Sequence, residues 1–261
     1  MKITVCIKNA VDTEAVVALD RQGGLDSDRA SYIIDPYSEF AVEKAIQLKE
    51  AGAAEEVSVL CIGDEASMSA VRHALAMGVD AAYRVDGSLL ADSDSSALAK
   101  TLAAALRTIG CDLVMGGCKS ADTASAQVMG RVAVILGIPH IGVATGLDIE
   151  NGSVVVRREI DDGVEVVDTV LPAVVTAQQG LAEPRYPKVP DIMRSKKKPV
   201  TVWTLDDLGI DPDTVGNSAA KIKTSSFRLK PERTGGRIMQ GDFADAVRDT
   251  VVALYDEAKV M

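Results

Sequence analysis

Residues 112–139 read DLVMGGCKSADTASAQVMGRVAVILGIP. The stretch opens on a short apolar run, Asp112 to Met115, then breaks at Gly116-Gly117. Ala121, Ala124, Val128, Val132 and Ile135 follow at helical spacing, and Gly137-Ile138-Pro139 ends the run. Strand, glycine turn, helix, glycine stop is the unit of an α/β sheet. Upstream the same unit repeats. Residues 2–8 form a strand, and a polar loop runs from there to about Ile34. Pro36 opens a helix that carries Phe40, Ala41, Ala45 and Leu48 and closes at Gly52. Strands at 57–62 and 81–85 alternate with helices at 66–77 and about 93–109, the latter capped by Asp92 or Ser93. Four such units within about 140 residues predict an α/β fold with a doubly wound, mostly parallel, Rossmann-like sheet.

Past Pro139 the pattern changes. Residues 153–160 and 164–171 alternate around Asp161-Asp162-Gly163, which predicts an added β-hairpin. A short strand follows at 174–177. The segment 180–199 holds four prolines and the basic run Arg194, Lys196, Lys197, Lys198, so neither a helix nor a central strand is expected there. A loop this long is uncommon in a compact domain unless it is functional or disordered. Residues 209–241 are polar and poorly patterned. Asp242 then caps an amphipathic helix with Phe243, Val247, Val251 and Leu254 on one stripe. The expected division is a nucleotide-binding domain over 1–208 and a C-terminal arm over 209–261.

Composition narrows the function. The 261 residues are 47 % hydrophobic but only 3 % aromatic, so the core must be built from Val, Ile, Leu and Ala. The formal charge is −10 (28 basic against 38 acidic residues), which argues against nucleic-acid binding. No apolar run approaches the roughly 20 residues of a membrane helix, and the N-terminus runs straight into a strand with no leader pattern. Cys6 and Cys61 sit inside apolar runs, and no Cys-x-x-Cys occurs; a reducing, cytoplasmic setting is expected. His73 and His140 lie far from each other and from any cysteine at metal-ligand spacing. No Gly-x-Ser-x-Gly marks a nucleophile. Gly116-Gly117-Cys118-Lys119-Ser120 lacks the P-loop spacing. Even so, it joins a parallel strand to a helix at the edge where α/β sheets bind ligands, with Ser120, Thr123 and Ser125 as hydroxyl donors. A plain turn capped by Asp122 is the alternative reading.

Several segments together resemble the beta subunit of electron transfer flavoproteins, including the nitrogen-fixation-linked and electron-bifurcating branches. ITVCIKNAVDT (3–13) is similar to the family's opening. Asp35-Pro36-Tyr37 with EFAVEKA (39–45) resembles its first helix start, and ALAMG (74–78) its second helix end. VRREI (156–160) with Gly163 resembles its hairpin. The most specific segments are LPAVVTA (171–177), EPRY (183–186) and PDIM (190–193) before the lysine run. The likeness covers the chain up to about Gly209.

The resemblance implies a heterodimer with an alpha subunit that carries the redox FAD. A second nucleotide would lie in this chain, AMP in simple carriers and FAD in bifurcating ones. By position it would touch Cys6, Lys8, Thr13, Asp35, Pro36, Tyr37, Ser38 and Ile62. It would also touch Gly117, Lys119, Ser120, Asp122, Thr123, Ser125, Ala126, Gln127 and Val128. The loop around Val189 would dock an acyl-CoA dehydrogenase or another flavin dehydrogenase, with Glu183, Arg185, Tyr186, Ile192, Met193 and Lys196 to Lys198 beside it. Glu159 matches the hairpin carboxylate linked to release of the mobile flavin domain. Ala126-Gln127-Val128, with Asp12-Thr13, looks more like the bifurcating branch, in which NADH and ferredoxin are further partners. Thr123-Ala124-Ser125 departs from that branch's usual Gly-Asp-Thr, and Arg158-Glu159 looks more like the simple carriers. The comparison favours a second FAD. Structural AMP in a simple carrier, and a non-redox adenine-nucleotide protein, stay open.

Overall fold

Ile3, Val5 and Ile7 point to one side of the first strand while Thr4 and Cys6 point to the other, and all five are buried. A strand can be apolar on both faces only if helices cover both. The computed structural model, which describes residues 1–26, 30–150, 152–231 and 235–260, has that arrangement. In chain order come β1 (Lys2–Ile7), β2 (Asn9–Val11), β3 (Tyr32–Ile34), α1 (Pro36–Glu50), β4 (Glu56–Gly63), α2 (Met68–Met77) and β5 (Ala81–Asp86). Then follow α3 (Ser95–Ile109), β6 (Leu113–Gly117), α4 (Val128–Leu136), β7 (His140–Glu150), β8 (Ser153–Ile160), β9 (Gly163–Val170) and β10 (Ala173–Ala177). Last are α5 (Val189–Ser195), β11 (Val200–Trp203), α6 (Gly216–Ala219) and α7 (Phe243–Val252).

The main sheet has nine strands in the order β11-β5-β4-β1-β6-β10-β7-β8-β9. The first seven of that order run parallel, and β8 pairs antiparallel with both β7 and β9. One apolar layer joins Ile3, Val5, Val57 and Val59 to Ala41, Val42, Val71 and Leu75 of α1 and α2. The other joins Cys6, Leu60 and Val114 to Leu102, Leu106 and Val132 of α3 and α4. The winding leaves β1 in one direction through β4 and β5, then returns to β6 on its other side. The carboxyl ends of β1 and β6 therefore form the topological switch point.

The doubly wound sheet and the hairpin match the sequence expectation, with five local differences. The loop after β1 contains a small antiparallel pair, Asn9↔Ile34 to Val11↔Tyr32. The cap of α3 is Asp94, whose Oδ1 accepts from the N–H groups of Ser96 and Ala97, both at 2.9 Å. The helix expected from Ala121 starts only at Val128, because Ala124 and Ala126 take left-handed φ of 51° and 53°. The proline-rich segment does hold a helix, α5, since a proline in the first helical turn costs no hydrogen bond. Val200–Trp203 is an edge strand parallel to β5, where Trp203 stacks on Tyr83 at 4.9 Å.

The chain divides into two compact units, Met1–Phe227 and Arg228–Met261. The first extends past the expected boundary at 208, because Val215 is fully buried. Two further ties reach α3: Gly216 N–H donates to Ser93 Oγ (3.1 Å) and Lys221 N–H to Asp94 Oδ2 (2.9 Å). No helix among the described residues is long and apolar enough to cross a membrane.

Candidate functional site

Lys8 follows β1 and ties the sheet to the start of α1. Its N–H donates to Ser38 Oγ (3.3 Å), and its carbonyl accepts from Asp35 N–H (2.9 Å). Asp35 is fully buried. One carboxylate oxygen caps α1 by accepting from Tyr37 N–H, and the other reaches across the switch point to Ala121 N–H, each at 3.3 Å. Burial pushes its pKa up to about 6, against the pull of those two amides.

On the opposite side β6 ends in Gly116-Gly117. A Cβ at Gly117 would lie 2.7 Å from Tyr37 Cβ and 2.9 Å from the Lys119 carbonyl, so only glycine lets the two loops meet. The Lys119 ammonium stands 5.2 Å from the Tyr37 ring centroid, at cation–π range. Lys8 Nζ donates to Asp122 Oδ1 (2.6 Å) and Ser120 Oγ (3.3 Å), and Ser120 and Thr123 share a hydroxyl hydrogen bond of 2.8 Å. Burial opposes ionisation of Asp122, but Lys8 and Ser120 outweigh it and hold the carboxyl below its usual range. The loop then passes through two left-handed residues into α4, whose first turn has no side-chain cap. Among the described residues nothing accepts from the N–H groups of Ser125, Ala126 or Gln127. Free amides at a helix start attract an anion.

These loops frame a cleft of about 390 Å³ lined by Thr13, Pro36, Tyr37, Phe40, Lys119, Ser120, Ala121, Ala124 and Gln179. That volume lies in the small-molecule range of roughly 300–1,000 Å³. The lining offers an aromatic pair, Tyr37 and Phe40, crossing edge to face at 6.1 Å, one lysine, and the hydroxyls of Thr13 and Ser120.

Of the sequence candidates, the structure brings together Lys8, Thr13, Asp35, Pro36, Tyr37, Ser38, Gly117, Lys119, Ser120, Asp122 and Thr123. Ser125, Ala126, Gln127 and Val128 follow on the approach to α4, where Gln127 Oε1 is taken by Arg131 at 2.7 Å. Of all these, Thr13, Pro36, Tyr37, Lys119 and Ser120 line the cleft itself; the others, Cys6 and Ile62 among them, do not. Cys6 packs in the core beside α3 and α4, where burial pushes its thiol pKa up, and Ile62 packs against the same core. Phe40 and Gln179 are cleft residues that sequence reasoning missed, while Ala121 and Ala124 line it from within the expected 117–128 stretch. For Gln179 a signal existed: it follows β10, the strand next to β6, at the same carboxyl edge.

The proline-rich segment 183–199 forms a strap over α1 and α2. Arg185 makes a double bridge, with Nε and Nη2 to Glu43 (2.8 and 2.9 Å) and Nη1 and Nη2 to Glu50 (2.6 and 2.9 Å). Burial would raise the nearly inaccessible Glu43 carboxyl, but the Arg185 hydrogen bonds win and hold it low. Lys198 Nζ donates to the carbonyls of Leu75 (2.9 Å) and Val79 (2.6 Å) at the end of α2. Between these ties Tyr186, Val189, Ile192 and Met193 are exposed, Tyr186 at 95 % and Val189 at 73 %. Glu183, Lys196 and Lys197 are exposed as well, and Glu159 is exposed on the hairpin.

Comparison with known proteins agrees with this geometry. A family model described as "Electron transfer flavoprotein domain" matches residues 23–208. "Electron transfer flavoprotein subunit beta" of Bacillus subtilis is 37 % identical over 262 residues, covering 100 % of both chains. Its namesake in Syntrophomonas wolfei is 40 % identical over 90 % of this chain and 88 % of its own. "Caffeyl-CoA reductase-Etf complex subunit CarD" of Acetobacterium woodii is 29 % identical over 100 % of both. A doubly wound sheet with a cleft at its switch point, matched along its whole length by such relatives, places the chain in the electron transfer flavoprotein family, as a beta subunit.

Proposed function

We propose that the cleft between β1 and β6 holds an adenine nucleotide, and that this nucleotide is a second FAD. The observation that carries the reading is the switch-point cleft in which Tyr37 and Lys119 meet beside Gly117, with the uncapped start of α4 and its free amides a few residues on in the same loop. Ala126-Gln127-Val128 and Thr13, together with full-length similarity to a subunit of a reductase–Etf complex, favour FAD over AMP.

A flavin bound there supplies one- and two-electron redox chemistry. The chain's own residues bind and orient. Gly117 lets the loops close, the α4 amides and Lys119 meet phosphate charge, and Tyr37 and Phe40 offer an apolar face. No side chain has to act as nucleophile or general acid. The chain works with an alpha subunit and takes electrons from, or gives them to, an acyl-CoA dehydrogenase or other flavin dehydrogenase docked on the strap. NADH and ferredoxin join in the bifurcating case.

The deciding experiment is the nucleotide content of the purified heterodimer after denaturing release. Two FAD per heterodimer supports the proposal. One FAD with one AMP makes the chain a simple carrier subunit. A chain that stays monomeric and binds AMP or ATP without flavin would remove the redox reading altogether. Docking has its own check. Val189→Asp places a charge on the crest of the strap, so coupling to the dehydrogenase should fall at least about tenfold, with nucleotide content unchanged. Full coupling in that variant would put docking elsewhere.

A further inference from the structure

The strap has an unusual division of labour. Its crest is apolar and exposed: Tyr186, Val189, Ile192 and Met193. Its two ends are bound to separate helices by charged groups that face inward. At the first end Arg185 spends Nε, Nη1 and Nη2 on Glu43 and Glu50, about two turns apart on α1, and its own N–H also donates to Glu43 (3.3 Å). At the second end Lys198 sits on two carbonyls at the end of α2, and Arg72 of α2 donates to the carbonyls of Ser195 (2.7 Å) and Lys198 (3.3 Å). An open cleft of about 690 Å³ lies between Tyr186 to Lys188 of the strap and Leu75 to Gly78. The strap's charged ties thus sit at its two ends, while α5 between them packs on α2.

We propose that Arg185, braced by Glu43 and Glu50, and Lys198, seated on the end of α2, are positioning residues that hold the strap as a preformed docking element for the partner dehydrogenase. The proposal rests on the docking reading above and assigns how that surface is kept ready. A loop of about a dozen residues that ordered only on contact would lose backbone and side-chain entropy at that moment, which weakens binding without removing a single interfacial contact. Fixing the ends in the free protein removes that cost. Guanidinium is suited to the task because its planar fork can make a two-bond pairing with each of two carboxylates, where an ammonium offers only single contacts. Glu43 is 3 % exposed and has Arg185 as its cationic partner. Deleting the arginine would strand a buried charge, whereas altering Glu50 at the exposed end would loosen the bridge gently.

The test uses the intact heterodimer with Arg185→Lys and Glu50→Gln, each leaving Glu43 a cationic partner. Hydrogen–deuterium exchange is followed in peptides covering 186–197, 36–50 and 113–117. Electron transfer is titrated with a purified acyl-CoA dehydrogenase. The expected result is exchange faster by about tenfold in 186–197 alone. It should come with a rise of similar size in the apparent KM for the dehydrogenase, kcat within about twofold, and an unchanged Tm. Unchanged exchange in the strap for both variants overturns the clamp. Exchange that accelerates equally in α1 and β6, or a fallen Tm, reduces Arg185 to an ordinary structural tie and also overturns it. Faster strap exchange with an unchanged KM sinks the docking reading, and with it the functional half of the proposal.

Discussion

Asp35 joins two loops whose residues stand 86 apart in the chain, by accepting from Ala121 N–H while it caps α1. Asp-Pro at a helix start is legible in a sequence; a carboxylate buried between loops is not, because its second partner is set by the winding of the sheet. Burial lifts the group from 3.8 to about 6, so the native chain takes up a proton more readily than the unfolded one. Between about pH 4 and 6 the native state holds the extra proton, and acidification through that window favours folding. Kept ionised at neutral pH, the group costs on the order of 3 kcal/mol. The cleft responds in the opposite sense. A protonated Asp35 is a poorer acceptor for Ala121 and Tyr37, so the loop that carries Ser120 and Asp122 loosens. Nucleotide retention by the heterodimer should therefore fall as pH drops below about 6. Asp35→Asn should show weak retention already at neutral pH and a flat profile. Equilibrium dialysis across that range checks both, and equal retention at all pH values in the unaltered protein would separate Asp35 from the cleft.

At the scale of elements, the segment before α4 shows where periodicity misleads. Ala121, Ala124 and Val128 have helical spacing, and alanine is the best helix former. The backbone nonetheless turns left-handed at Ala124 and Ala126. Ala121 N–H is held by Asp35 and Asp122 by Lys8, both in distant parts of the chain; these ties override the local preference. The left-handed region costs an L-residue about 1–2 kcal/mol. Glycine avoids that but loses more backbone entropy on folding. Ala126→Gly should thus be neutral to stabilising, by up to about 1 kcal/mol, seen as a rise of a few degrees in heterodimer Tm. A clear fall in Tm would mean that the alanine methyl is packed rather than strained. The strand Val200–Trp203 escaped notice for another reason. Four residues at a sheet edge bury too little to leave a period.

At the scale of the molecule, alternating strands and helices made the doubly wound half legible, and with it the edge where a ligand belongs. The insertion of β10 between β6 and β7 was not legible, since it pairs strands that are distant in sequence. The domain boundary moved for a similar reason: Val215 has no apolar run around it, yet it is fully buried beside α3. The second unit, Arg228–Met261, poses the reverse problem. Its helix α7 is well capped, with Asp242 Oδ1 accepting from Asp245 N–H at 2.9 Å, and the stripe of Phe243, Val247 and Val251 that the sequence displays is exposed. A single exposed apolar residue needs no explanation, but a helical stripe of them asks for a covering surface. In a heterodimeric family the alpha subunit is the natural cover. Removing residues 228–261 should leave the first unit folded, with a melting transition within a few degrees of the full chain. It should also lower recovery of the alpha subunit in co-purification by about tenfold or more. If heterodimer recovery is unchanged while the first unit melts much earlier, α7 serves its own chain instead, and the exposed stripe marks a surface that closes within the subunit.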